Sequence, residues 1–219
     1  TVLTLFAWKV LHPEDVHLSR GNHETKLMNT TYGFEGEVLA KYDRTVMDLF
    51  TEVFNWLPIA HVIDHQIFVV HGGLFSRDGV TLDAIAEVER NQQPPDSGIM
   101  SDALWSDPQP FPGRGLSKRG VGVAFGPDVT REFLASNGLK MIIRSHEVKA
   151  EGYLVEHGGL CVTVFSAPNY CDQMGNKGAF IKLDRATLTP EYVTFEAVPH
   201  PPIRPMAYAT NFFASLLGM

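Results

Sequence analysis

The chain has 219 residues, enough for one domain of ordinary size with a substantial core. An apolar fraction of 44% and a charged fraction of 20% fit a soluble globular protein and exclude a disordered or fibrous one. The net charge of −7 argues against nucleic acid as a main partner, because phosphate backbones call for clustered Lys and Arg; one local basic pocket can still hold a single phosphate group. No run of about 18 apolar residues occurs, so no membrane span is expected.

The first ten residues read as the end of a helix already under way, with something upstream missing and no signal peptide. A turn is expected at Pro13-Glu14-Asp15, before the short apolar step Val16-His17-Leu18. Across residues 37–57, Val38, Leu39, Tyr42, Val46, Leu49, Phe50, Val53, Phe54 and Leu57 recur at steps of three and four. They predict one amphipathic helix, or two in succession. Gln66-Ile67-Phe68-Val69-Val70 predicts a buried strand that stops at His71-Gly72-Gly73, and residues 82–90 predict a further helix. Residues 91–120 are rich in Pro, Gly and Ser and predict a long functional or mobile loop containing Trp105, too polar for a core element. Asp128 is expected to cap a helix that Gly138 ends. Strands are expected at Met141-Ile142-Ile143, over 161–165, and once or twice within 178–198. After Pro205, the residues Phe212, Phe213, Leu216 and Leu217 predict a short amphipathic surface helix. Cys161 and Cys171 have no metal or disulfide spacing. Both are expected to be buried, inert thiols in a reducing cytosolic or nuclear compartment.

Three apolar strands are thus expected to end in polar clusters, at residues 20–24, 71–73 and 144–147, and to gather those side chains at one sheet edge. From these clusters Asn22, His71 and His146 make a candidate metal site. Imidazole nitrogen and amide oxygen suit Mn, Fe or Zn, and the set contains no cysteine. Gly72 and Gly73 would let backbone come close to an ion or an oxyanion. His23, beside Asn22, is a candidate general acid. Arg119 has the geometry to grip two phosphate oxygens, and Tyr170, closing a strand, could lean over the site. The remaining histidines (His12, His17, His61, His65, His157 and His200) are read as ordinary surface or core residues.

Ser19-Arg20-Gly21-Asn22-His23-Glu24, Val70-His71-Gly72-Gly73-Leu74, Leu104-Trp105-Ser106-Asp107-Pro108, Ile143-Arg144-Ser145-His146-Glu147 and Ser166-Ala167-Pro168-Asn169-Tyr170-Cys171 resemble, in order, motifs of the phosphoprotein phosphatase family. The resemblance covers nearly the whole chain. It implies a calcineurin-like metallophosphoesterase α/β/β/α sandwich, with all 219 residues forming part of one catalytic domain that ends in a tail over 199–219. It implies two divalent metal ions (Mn, Fe or Zn), with Asn22, His71 and His146 as ligands of the second, His23 as general acid, Arg119 on phosphate and Tyr170 facing substrate. The implied reaction is hydrolysis of phosphoserine and phosphothreonine by a metal-activated hydroxide in line, with no covalent phosphoenzyme. Phosphoprotein substrates and regulatory proteins are the implied partners.

The family's two earlier motifs, Gly-Asp-x-His-Gly and Gly-Asp-x-x-Asp-Arg-Gly, occur nowhere in these residues. With them go the ligands private to the first metal, the bridging aspartate, a second phosphate arginine and the aspartate partner of the general acid. Half a metal site, unpaired sheet edges and exposed apolar surface are therefore expected. The alternatives are an inactive chain acting as a binding module near Trp105 or the tail, and a metallophosphoesterase acting on nucleotides or small phosphate esters.

Overall fold

The computed structural model describes residues 1–203 and 207–209; the surface helix expected after Pro205 lies outside them. Helix α1 (Val2–Leu11) is followed by the expected turn at 13–15 and an extended stretch with no strand in it. Three helices come next: α2 (Lys26–Tyr32), α3 (Phe34–Lys41) and α4 (Arg44–Trp56). The apolar period over 37–57 is thus carried by two helices. Tyr42 leaves the helical backbone, and the Asp43 side chain then caps α4 by accepting from Val46 N at 3.0 Å. Val38, Met47, Phe50 and Phe54 form a small core there, joined by Val2, Phe6 and Phe34, with Phe34 edge-on to Phe50 at 5.2 Å.

Strand β1 (Ala60–Ile63) turns back antiparallel into β2 (Ile67–Val70). Helix α5 (Leu82–Ala86) follows, capped by Thr81 and shorter than the sequence predicts. Then come α6 (Ile99–Trp105), β3 (Asp107–Pro108), β4 (Arg114–Leu116), β5 (Val123–Phe125) and α7 (Pro127–Ser136). The rest is β6 (Met141–Arg144), β7 (Tyr153–Glu156), β8 (Cys161–Val164), β9 (Gly178–Leu183) and β10 (Pro190–Phe195). The main sheet has the order β1-β2-β6-β8-β7, with β2, β6 and β8 parallel and the two outer strands antiparallel to their neighbours. A three-stranded sheet β3-β5-β4 and the hairpin β9–β10 complete it. The parallel strands read as apolar runs because helices cover them. Ile85, Met100, Leu104, Val129 and Phe133 pack with Phe68, Val70, Ile142 and Cys161 in one core. Each such Leu, Ile or Phe side chain contributes about 1.5–3 kcal/mol on burial.

Residues 91–120 are not a loop. Helix α6 inside them buries Met100, Ser101, Asp102, Ala103 and Leu104 consecutively. The polar pair is matched: Asp102 accepts from Ser76 N and Oγ at 2.8 Å each, and Ser101 donates to Pro95 O. The Pro- and Gly-rich flanks had diluted one apolar helical turn. Asp128 is not the cap of α7 either. Gly126 holds that position with Pro127 after it, and the Asp128 carboxylate accepts from Gly113 N at 2.8 Å across to the β3–β4 loop. Gly138 does close the helix, at φ 66°, where a Cβ would be disfavoured. Helix α1 buries none of its residues and leaves Leu3, Trp8, Val10 and Leu11 exposed, in keeping with the expected apolar surface.

Gly72 and Gly73 are both required by packing. A Cβ on Gly72 would stand 2.6 Å from both Leu104 C and Trp105 N, and one on Gly73 would enter the Phe125 ring. Because the Gly72 obstruction is backbone, Gly72→Ala should destabilise the fold by about 1–3 kcal/mol in equilibrium urea unfolding. The two cysteines differ as well: Cys161 is buried and Cys171 exposed, which corrects the expectation of two buried thiols. Burial pushes the Cys161 thiol up to about 12, keeping it protonated as well as sealed. Iodoacetamide at pH 8 should label Cys171 in the native protein and Cys161 only in urea, read by peptide mass spectrometry; equal native rates would contradict this burial.

Candidate metal and phosphate site

Strands β2 and β6 run parallel with Val69 opposite Ile143, so their C-terminal ends emerge side by side. Ser145 N donates to His71 O at 3.0 Å, extending that register into the loops, and the His71 and His146 rings lie 5.1 Å apart. The third member arrives without a strand. Residues 20–24 form a turn whose Gly21 N donates to Glu24 Oε2 at 2.8 Å. The buried Arg20 anchors the turn, its guanidinium donating to Glu24 O, Arg90 O, Gln92 O and Asn55 Oδ1, while its own N donates to Pro58 O. This places Asn22 Oδ1 2.8 Å from His71 Nε2.

His146 has φ 71°, a left-handed backbone that costs a residue with a Cβ about 1–2 kcal/mol. It is held from both sides. Its Nδ1 lies 3.0 Å from Asp107 Oδ1, and its carbonyl accepts from Arg119 NH2 at 3.0 Å. Asp107 also accepts from Arg119 Nε at 2.6 Å and from the buried Arg144 NH2 at 2.7 Å. Burial opposes the charge on Asp107, but the hydrogen bonds from His146 and Arg119 and the charge of Arg144 outweigh it, and the carboxyl titrates well below its ordinary range. Burial lowers both imidazoles: His71, with the cationic forms of His146 and Arg144 adding to it, and His146 in spite of Asp107. Both are therefore neutral at pH 7, the form that ligates a metal.

The structure brings Asn22, His71 and His146 together and sets Arg119 beside them, its side chain 26% exposed. His23 stacks on Tyr32 at 4.9 Å and 28°. Burial lowers its pKa, and the charges of His146 and Arg119 lower it further. Tyr170 lies edge-on to Phe165 at 5.1 Å, on a turn where Asn169, Cys171 and Asp172 all have positive φ. The buried Asn176 side chain braces that turn, accepting from Tyr170 N and donating to Ala167 O. Asp107, Tyr32 and Asn176 carry no role in the sequence reading. For Asp107 a signal existed: a carboxylate set between an apolar helical turn and a proline.

Asn22, His71 and His146 fit a metal ion on one independent observation. His146 Nε2 is buried with no hydrogen-bond partner, an arrangement that costs about 1–3 kcal/mol unless something outside the described residues meets it. Its other nitrogen faces a carboxylate, the support that ligating histidines usually have. Two imidazoles and one amide oxygen leave coordination positions open, as in catalytic rather than structural sites. Among the described residues, no group of three or more His, Cys, Asp or Glu could hold an ion, so these mixed donors are the candidate set.

Residues 1–150 match the family described as calcineurin-like phosphoesterase. Serine/threonine-protein phosphatase 5 of Homo sapiens is 62% identical over 218 residues, which cover 100% of this chain and 43% of the human protein. The protein of the same name in Arabidopsis thaliana is 61% identical over 211 residues, 96% of this chain and 39% of its own. This chain therefore spans less than half the length of these curated relatives. A solved protein serine/threonine phosphatase from Saccharomyces cerevisiae, with similarity to human phosphatase PP5, superposes with a TM-score of 0.89 at 43% identity, covering 94% of this chain and 68% of that one. With its fold shared at that level and well over half its length inside the family's pattern, the chain belongs to the calcineurin-like phosphoesterase family.

Proposed function

We propose that this chain carries the second-metal half of a serine/threonine protein phosphatase site, acting on phosphoserine and phosphothreonine in proteins. The observation that carries the reading is the unpartnered His146 Nε2 beside the contact between His71 Nε2 and Asn22 Oδ1, with Arg119 alongside. Asn22, His71 and His146 would hold a divalent ion of the Mn, Fe or Zn type. Such ions, when bound, activate a water and neutralise phosphate oxygens. Arg119 offers the exposed edge of its guanidinium to phosphate oxygens while Asp107 fixes its Nε. His23 is the group to protonate the departing seryl or threonyl oxygen, and Tyr170 borders the entry for substrate. The similarity to named protein phosphatases favours proteins over nucleotides or small esters as substrates. The sparse cysteines, one of them exposed, support a reducing compartment, cytosol or nucleus.

As an isolated polypeptide the chain lacks both motifs that complete the reaction. Among the described residues no carboxylate hydrogen-bonds His23, and nothing in the sequence supplies the bridging aspartate. Turnover of a phosphoserine peptide with added Mn²⁺ is therefore expected at least roughly 10²-fold below that of a complete enzyme. Robust turnover that His23→Ala abolishes would contradict this expectation. Metal uptake should survive without turnover: the wild-type chain should bind Mn²⁺ by electron paramagnetic resonance titration, and His146→Ala should lose it. If His146→Ala binds Mn²⁺ as tightly as wild type, this site is not the one that holds it. Preferential hydrolysis of nucleotides over the phosphopeptide would transfer the reading to small phosphate esters.

A further inference from the structure

The carboxylate of Asp107 lies behind the groups that would touch metal or phosphate, yet it bonds to both sets. Its Oδ1 takes His146 Nδ1 at 3.0 Å and Arg144 NH2 at 2.7 Å, and its Oδ2 takes Arg119 Nε at 2.6 Å. We propose that Asp107 is the positioning residue for the whole site: it fixes His146 with Nδ1 protonated and Nε2 free to ligate, and the same carboxylate holds Arg119 ready for phosphate. The inference rests on the metal site proposed above and adds what orders it.

Three observations carry it. An ionised carboxylate only accepts, so the His146 nitrogen facing it must carry the proton, and the orphaned Nε2 is then the lone-pair nitrogen. His146 has a left-handed backbone, which needs external fixing; Asp107 holds its ring and, through Arg119, its carbonyl. Asp107 is itself anchored, since Arg144 is tied at Nε to Gly72 O at 2.6 Å and at NH1 to Glu147 at 3.1 Å. The carboxylate therefore refers His146 and Arg119 to the end of β2, where His71 stands. Metal affinity and phosphate affinity are coupled through one side chain.

Asp107→Asn keeps the volume but turns one accepting oxygen into a donor, so His146 and the two arginines can no longer all be met. The test uses the whole chain and needs no turnover. In the metal-free wild type, histidine ¹⁵N NMR should show His146 as the Nδ1–H tautomer; an Nε2–H tautomer would overturn the proposal, whether or not any variant folds. In cobalt titrations followed by visible absorption, Asp107→Asn should bind Co²⁺ about 10–100-fold more weakly than wild type. It should also bind inorganic phosphate more weakly once loaded with Co²⁺. Arg119→Ala should lose more phosphate affinity than Co²⁺ affinity, and less Co²⁺ affinity than Asp107→Asn, since it meets His146 at the carbonyl and not at the ring. Equal Co²⁺ affinity for wild type and folded Asp107→Asn sinks the idea. A wild type that shows the Nδ1–H tautomer but takes up no Co²⁺ removes the metal-site reading while supporting the hold of Asp107 on His146.

Discussion

A guanidinium sealed at the ends of three parallel strands is the constraint on which the rest of this structure is built. Arg144 is buried, and an unpaired cation in that position would cost several kcal/mol. Its nitrogens are all used: Nε on Gly72 O, NH1 on Glu147 and Thr163, NH2 on Asp107 and Ser106 O. The five partners belong to four segments: the loop after β2, the loop after β6, strand β8 and the junction of α6 with β3. The charge can be buried only if those four pieces stand where they do. The same geometry puts His71 and His146 in adjacent loops with their rings 5.1 Å apart. Gly72 shows how tight this closure is, since its N donates to Ala103 O at 2.7 Å and no space remains for a Cβ.

Charge is distributed unevenly as a result. A chain of net charge −7 places Arg119, Arg144 and Lys118 around one corner and balances them with Asp107 and Glu147. Arg144 is fully committed and Lys118 is tied to Glu147 at 2.8 Å, but Arg119 keeps an exposed edge. The outcome is one cationic group facing outward over two neutral imidazoles, which suits a single phosphate ester rather than a polyanion.

How much of this was legible in the sequence depended on whether the signal was local. His71 and His146 were readable because each follows a short apolar run, and a buried parallel strand leaves few other ways to write such a run. Asn22 was readable by its motif but for a partly mistaken reason: no strand precedes it, and Arg20 holds the turn through contacts to residues 55, 90 and 92. Those contacts cross the chain and leave no period to detect. Helix α6 was missed because a window rich in proline and glycine averaged away a run of five buried residues. Asp128 looks like a cap by type and position, yet its carboxylate serves Gly113, a tertiary bond that local rules cannot foresee. The role of Asp107 had the same obstacle, since its three partners lie 12, 37 and 39 residues away.

The arrangement also separates two things that phosphoryl transfer needs. Holding an anion and a cation requires fixed charges and lone pairs, and under the proposed reading Asn22, His71, His146 and Arg119 would supply them. Moving a proton requires an imidazole that is charged near neutral pH, and His23 is the reverse case. Burial, then His146 and Arg119, favour its neutral form, and its ring rests on Tyr32 rather than on a carboxylate. A carboxylate brought against His23 would raise its pKa toward the working range by stabilising the imidazolium. The resemblance assigns that carboxylate to one of the two motifs that these residues do not contain. Under the proposed reading, recognition chemistry and proton chemistry would be encoded in different stretches of sequence.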